Sequence, residues 1–172
     1  MGAAVKSGPV KIALVGMGWW GQKMLSVLQS APEDIQVVRA VEPSIDAVRQ
    51  LCADKGIALS ADYADALNDP AVEAVVLATP HSLHTDQIAA AVAAGKHIFC
   101  EKPLALTKAE AERSVALCRD AGLVLGMGHE RRFEPPVAEM LAMADAGTLG
   151  RIHQIEANFS HDKFLSLARD NW

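Results

Sequence analysis

The sequence predicts an α/β protein with a doubly wound parallel sheet, and three observations predict it. Short apolar runs of strand length alternate along the chain with segments of helical spacing. The runs are continuously apolar rather than alternating, the pattern of strands buried on both faces. Aromatic residues make up only 5% of the chain while alanine is plentiful, which suits thin helices on a β-branched sheet better than a sandwich. The 172 residues allow one domain and a short remainder, at about 150 residues per domain.

Val10 to Val15 is the first run and ends at Gly16. Trp20 to Gln29 has helical spacing, with Met24, Leu25 and Leu28 on its buried stripe. Ile35 to Val41 is the next strand and Ser44 to Lys55 the next helix, with Ser44, after Pro43, as N-cap. Asp62 to Leu67 adds a turn or two of helix before Asn68, Asp69 and Pro70 stop it. Val72 to Ala78, His97 to Cys100 and Leu123 to Met127 complete the runs, separated by helices over Leu83 to Ala94 and Lys108 to Ala121. Thr107 and Glu110 form a capping box, and Gly56, Gly95 and Gly122 fall just past helix ends. Strands alternating with helices of about 10 to 15 residues make right-handed βαβ units.

Beyond Met127 the rhythm changes. Pro135 and Pro136 open an amphipathic helix through Met140 and Ala144, and 146–150 reads as a linker. Arg151 to Phe159 then alternates like the first strand of an antiparallel sheet with one wet face, and the tail Asp162 to Trp172 is too short to pair with it. The expected division is the doubly wound domain over 1–146, followed over 147–172 by the start of an incomplete antiparallel α+β domain.

A net charge of -5 with no basic run argues against nucleic acid as a partner. No stretch approaches the length of a membrane helix, and the first ten residues lack the apolar centre of a signal peptide, so a cytoplasmic location is expected. Lys6 stands where a myristoylation signal wants Ser or Thr. Cys52, Cys100 and Cys118 have neither disulfide nor zinc spacing and read as buried thiols. His81 and His84 are spaced i, i+3 without a third ligand, so no metal is expected.

The sharpest motif is Gly16-Met17-Gly18-Trp19-Trp20-Gly21, between the first strand and the first helix. Gly16 permits the tight turn, Gly18 lets backbone amides approach a pyrophosphate, and Gly21 lets the helix pack on the strand. Of the two tryptophans in the loop, one is expected over the pyrophosphate or the cleft mouth and the other in the core. Glu42 lies at the end of the second strand, where an acid binds the adenosine ribose hydroxyls and repels a 2′-phosphate. This is the fingerprint of a Rossmann domain and favours NAD, with NADP as the alternative because Arg39 and Ser44 lie close enough to modify the preference. The same strand, turn and acid also serve adenosylmethionine-dependent methyltransferases.

Glu101-Lys102-Pro103 follows His97 to Cys100 at the carboxyl edge of the sheet. Thr79-Pro80-His81-Ser82-Leu83-His84 follows the strand before it, and Gly128-His129-Glu130-Arg131-Arg132-Phe133-Glu134-Pro135 follows Leu123 to Met127. In these three segments and the glycine loop the sequence resembles the Gfo/Idh/MocA family of oxidoreductases, over nearly the whole chain from Val10. The resemblance implies an NAD(P)-dependent dehydrogenase of the sugar or cyclitol type, acting by hydride transfer. It implies that Lys102 hydrogen-bonds the substrate hydroxyl and assists proton transfer, a task that suits a tunable ammonium. Pro103 fixes the turn, and Glu101 orients the lysine or contacts the nicotinamide ribose. Thr79, Pro80 and His84 are expected to line the cofactor cleft. His129, Glu130 and Arg131 are expected to reach nicotinamide or an anionic substrate group, while Arg132 is salt-bridged to an acid. Members of the family complete the site from a second domain with an Asp and a His; His161 and Asp162 come too early and in the wrong order for those roles. The chain is therefore expected to bind NAD(H), to turn over little substrate alone and to form a homo-oligomer when complete. A nucleotide-binding module without turnover is the alternative from the same family.

Overall fold

The computed structural model describes residues 8–160 and 162. Six parallel strands lie in the order β3-β2-β1-β4-β5-β6. They are β1 (Val10–Val15), β2 (Ile35–Val41), β3 (Ala58–Ser60), β4 (Ala74–Leu77), β5 (His97–Cys100) and β6 (Leu125–Met127). Between them run α1 (Trp19–Leu28), α2 (Arg49–Asp54), α3 (Tyr63–Leu67), α4 (His84–Ala93) and α5 (Lys108–Asp120), with α6 (Pro135–Asp145) after the sheet. The expected doubly wound sheet is thus observed.

Two-sided burial explains why the strands are continuously apolar. In β1, Ala13 and Val15 join a cluster with Ile88 and Ala91 of α4 and Cys118 of α5. Ile12 and Leu14, pointing to the opposite face, join Leu25 of α1 and Cys52 of α2. Successive side chains of one strand therefore enter different cores, so neither face tolerates a polar alternation. Leu14, Ala13, Val75 and Leu77 are completely buried.

Several boundaries differ from the sequence reading. The helix expected over Ser44 to Lys55 is a 3-10 turn, Ile45–Ala47, followed by α2. Ser44 makes no side-chain cap; its backbone N–H donates instead to Glu42 Oε1 at 3.1 Å. The strand expected from Val72 begins at Ala74, because the Lys96 ammonium takes the carbonyls of Asp69 and Val72 at 2.9 and 2.8 Å. β6 starts at Leu125 rather than Leu123, since the Val124 N–H donates to His97 Nδ1. The three-residue β3 was too short to stand out as an apolar run. Thr107 and Glu110 do form the capping box, and Gly56, Gly95 and Gly122 all take positive φ.

The backbone contacts divide the chain into Met1–Gly128 and His129–Trp172, ahead of the boundary the 146–150 linker indicated. In the second unit, Glu130–Phe133 forms a 3-10 turn and α6 contains no buried residue. Arg151 to Phe159 is irregular and exposed, not the strand its alternation predicts. A strand needs a neighbour to satisfy its N–H and C=O groups, and none pairs with this segment among the described residues. His161 and most of the tail to Trp172 lie outside the described residues, as does Lys6. No helix among the described residues is long and apolar enough to cross a membrane.

The two N-caps give a paired prediction in urea unfolding. Thr107→Ala, which removes the hydroxyl half of a working box, should cost about 1 kcal/mol. Ser44→Ala should cost less than about 0.5 kcal/mol, because its hydroxyl caps nothing.

Candidate functional site

The order of the strands puts the turn after β1 beside the turn after β4, the switch point at which ligands enter such sheets. Gly16 takes φ +88°, and a Cβ there would lie 2.7 Å from the Ala78 carbonyl oxygen and 3.1 Å from Thr79 Cγ2. A Cβ on Gly21 would overlap the Gly16 carbonyl oxygen. These two glycines let α1 start directly against the end of β1. Gly18 differs: it is exposed, and a Cβ there would meet nothing within 4 Å, so its amide borders open space at the start of α1. The first N–H groups of a helix have no partner inside it, which makes that space suited to an anion.

Met17 is buried, and its N–H donates to Glu42 Oε2 at 2.8 Å. With Ser44 on its other oxygen, Glu42 braces the glycine turn against the end of β2. Each carboxylate oxygen accepts more than one hydrogen bond, so Glu42 keeps capacity for hydroxyl donors. Beyond it, Pro43, Ser44, Ile45, Asp46, Ala47 and Arg49 line a hollow of about 340 Å³. Arg39, expected to modify this corner, is held elsewhere: its Nε and Nη2 donate to Asp69 Oδ2 at 3.1 and 2.9 Å. The Ala71 N–H, then Arg39, hold the Asp69 carboxyl below the usual carboxylate range. Trp20 packs into the core on the α1 side with its buried indole N–H unpartnered, while Trp19 is 71% exposed. Their ring centroids are 5.6 Å apart.

At the end of β4, the Thr79 hydroxyl donates to Gln87 Oε1 at 2.6 Å, and the Gln87 carbonyl accepts the Tyr63 hydroxyl at 3.1 Å. Burial, then the neighbouring Cys100, pushes the Tyr63 hydroxyl pKa up. Pro80 is half-buried and leads into the 3-10 turn His81–Leu83. His84 does not line the cleft as expected. It is completely buried, with Nε2 at 3.0 Å from the Thr79 carbonyl oxygen and Nδ1 at 2.9 Å from that of Pro103.

At the end of β5, Glu101 is 7% exposed and its Oε2 accepts the Lys102 N–H at 3.2 Å. Its carboxylate lies flat over Gly128, where a Cβ would come 2.6 Å from Oε1 and 2.7 Å from Cδ. The sequence reading missed Gly128 as a functional position, although a glycine just past a strand end was its visible signal. Lys102 is exposed, its ammonium has no ion-pair partner among the described residues, and the Lys102-Pro103 peptide is cis. Beneath it, Cys100 is completely buried; burial first and the Glu101 charge second push its thiol up to about 12.

The fold thus brings Gly16, Gly18, Gly21, Glu42, Thr79, Glu101 and Lys102 to one sheet edge. His129, Glu130 and Arg131 belong to the second unit and are exposed there. The ion pair expected of Arg132 is made by Arg131, to Glu134 at 3.0 Å, because the turn puts residues i and i+3 on one side. Arg131 also lies 4.7 Å from the Phe159 ring centroid.

A sequence-family model described as an oxidoreductase family with an NAD-binding Rossmann fold matches residues 10–129. Over 139 residues the chain is 37% identical to the 1,5-anhydro-D-fructose reductase of Ensifer adhaerens, covering 80% of this chain and 41% of that protein. It is 32% identical to the scyllo-inositol 2-dehydrogenase (NAD(+)) of Bacillus subtilis, covering 83% and 42%. The crystal structure of an NAD binding oxidoreductase from Klebsiella pneumoniae superposes with a TM-score of 0.76 at 26% identity, over 83% of this chain and 40% of that one. The chain spans about two fifths of the length of the curated relatives it matches.

Gly21→Ala should lose several kcal/mol of stability or fail to fold, whereas Gly18→Ala should melt within a few degrees of the parent, as thermal unfolding will register. All three cysteines are buried, so a thiol reagent at pH 8 should label the folded chain far more slowly than the unfolded one. Cys100 has a raised folded pKa, so its contribution to stability is full below the unfolded thiol value of about 8.5 and fades as pH climbs toward about 12.

Proposed function

The chain belongs to the Gfo/Idh/MocA oxidoreductase family, with its NAD-binding Rossmann fold, and from that premise we propose that it is the nucleotide-binding portion of a dehydrogenase acting on a polyol or sugar. That membership displaces the methyltransferase reading. The observation that carries the proposal is Lys102, an exposed ammonium without an ionic partner among the described residues, held at the end of β5 beside the switch point. The named activities of the two curated relatives, on an anhydro-sugar and on an inositol, support the substrate class.

The residues present fit a dinucleotide. Open space at Gly18 and the start of α1 suits the pyrophosphate, and the hollow beyond Glu42 suits the adenosine. When bound, the nicotinamide supplies the hydride chemistry, and this chain supplies position and proton handling. Glu42 accepts the ribose hydroxyls, and its charge disfavours a 2′-phosphate, so NAD is the proposed cofactor. Lys102 donates a hydrogen bond from Nζ to the substrate oxygen. Having released one proton to solvent, the neutral amine takes up the hydroxyl proton as the alcohol becomes a carbonyl, and the ammonium so formed returns that proton in the reverse direction. Glu101, braced on Gly128, either fixes the backbone of Lys102 or meets the nicotinamide ribose. Thr79 and Pro80 border the cofactor at the end of β4. His129, Glu130 and Arg131 are proposed to reach the nicotinamide or an anionic group of the substrate. Exposed Met140, Leu141, Ile155 and Phe159 support self-association of the protein.

Titration with NADH and NADPH, read by tryptophan fluorescence and energy transfer to the reduced nicotinamide, tests the reading. NADH should bind more tightly, and Glu42→Gln should erode the NADH preference about tenfold, worth about 1.4 kcal/mol. A parent preference for NADPH overturns the role of Glu42, and failure to bind either nucleotide overturns the proposal. In a form of the protein that includes a substrate-binding domain, Lys102→Ala should lower kcat about 10² to 10⁴-fold; unchanged turnover would remove Lys102 from the chemistry.

A further inference from the structure

Resting on the role given to Lys102 above, we propose that His84 is a positioning residue that couples the nucleotide-binding edge to Lys102, by holding the Thr79 and Pro103 carbonyls at the two nitrogens of one buried ring. The two carbonyls belong to different loops. Thr79 follows β4, and its Cγ2 and the Ala78 carbonyl form the wall against Gly16. Pro103 follows Lys102 after β5. His84, the first residue of α4, reaches both, at 3.0 Å from Nε2 and 2.9 Å from Nδ1.

Packing alone does not account for a histidine here. A completely buried side chain with only a space-filling task is served by Leu or Met, whereas an imidazole carries two polar nitrogens that cost free energy to desolvate unless paired. Both nitrogens are aimed at carbonyl oxygens. A carbonyl only accepts and a neutral imidazole carries one N–H, so in either neutral tautomer one of the two contacts is a hydrogen bond, and both are hydrogen bonds only when the ring carries both hydrogens. The ring spends its hydrogen-bonding capacity on the two loops and leaves none for a ligand.

Lys102 has no ionic partner for its ammonium among the described residues, so its backbone fixes where Nζ can reach. That backbone is anchored on both sides. Before it, Glu101 accepts the Lys102 N–H and rests on Gly128. After it, the Pro103 carbonyl faces His84, which also faces the wall of the glycine turn. Removing the imidazole unties the lysine loop from that wall while leaving the glycine turn and Glu42 intact.

The test uses this chain with its lysines reductively dimethylated with ¹³C and the Lys102 signal identified through Lys102→Arg. Saturating NADH should shift the Lys102 methyl resonance and leave that of Lys11, at the opposite edge of the sheet, unmoved. His84→Leu should bind NADH within about threefold of the parent, under 1 kcal/mol, yet lose more than half of the Lys102 shift. His84→Gln, which keeps one donor, should recover part of it. A full Lys102 shift in His84→Leu overturns the coupling, as does a loss of shift that merely follows a loss of NADH affinity in both variants. If His84→Leu does not fold, His84→Gln decides: a reduced shift supports the coupling and an unchanged one overturns it. A parent Lys102 signal that ignores bound NADH overturns the role of Lys102 itself, and the coupling with it.

Discussion

Everything at the functional edge depends on the ladder of a parallel sheet running one residue past the ends of β1, β4, β5 and β6. Gly16 N–H donates to Val41 O, Ala78 N–H to Val15 O, Glu101 N–H to Leu77 O and Gly128 N–H to Cys100 O, each at 2.8 to 2.9 Å. The backbone is therefore still held by its neighbour at the residue where each loop begins. Parallel strands all end on the same side, so these fixed points fall in a row. The glycine turn, Thr79, Lys102 and Gly128 are each within two residues of one of them.

The second organising feature is how carboxylates are placed along that row. Glu42 and Glu101 lie close to the cleft, and each accepts backbone N–H groups from its own surroundings. Such bonds give partly buried oxygens the partners that burial takes away from water. They also tie side chains to backbone, so a change at either acid is transmitted to a loop rather than confined to its own atoms. The buried cysteines show the opposite balance: with little to stabilise a thiolate, burial keeps them protonated.

Much of this was legible in the sequence because it rests on local rules. The continuous runs of β1, β2 and β5, the capping box at Thr107 and the spacing of Gly16, Gly18 and Gly21 each follow from steric or hydrogen-bonding needs within a few residues. What escaped is non-local. Ser44 has the chemistry of an N-cap, but the chain after it closes as a 3-10 turn in which its hydroxyl caps nothing. Val72 looks like strand until Lys96, a helix away, takes its carbonyl. Arg39 is drawn off by Asp69, and His84 is turned inward by two loops that only folding brings together. The alternation of Arg151 to Phe159 records a preference for one wet face, and a preference of that kind becomes a strand only beside a partner.

The seat of Glu101 on Gly128 reaches beyond the site. The two residues come from neighbouring strands and share one volume: the carboxylate fills the place a methyl group would occupy. A larger residue at 128 would meet only the movable end of the Glu101 side chain, so the fold can absorb the change by letting the carboxylate swing away, and what is lost is the acid's seat. Gly128 therefore guards the position of an acid more than the integrity of the sheet.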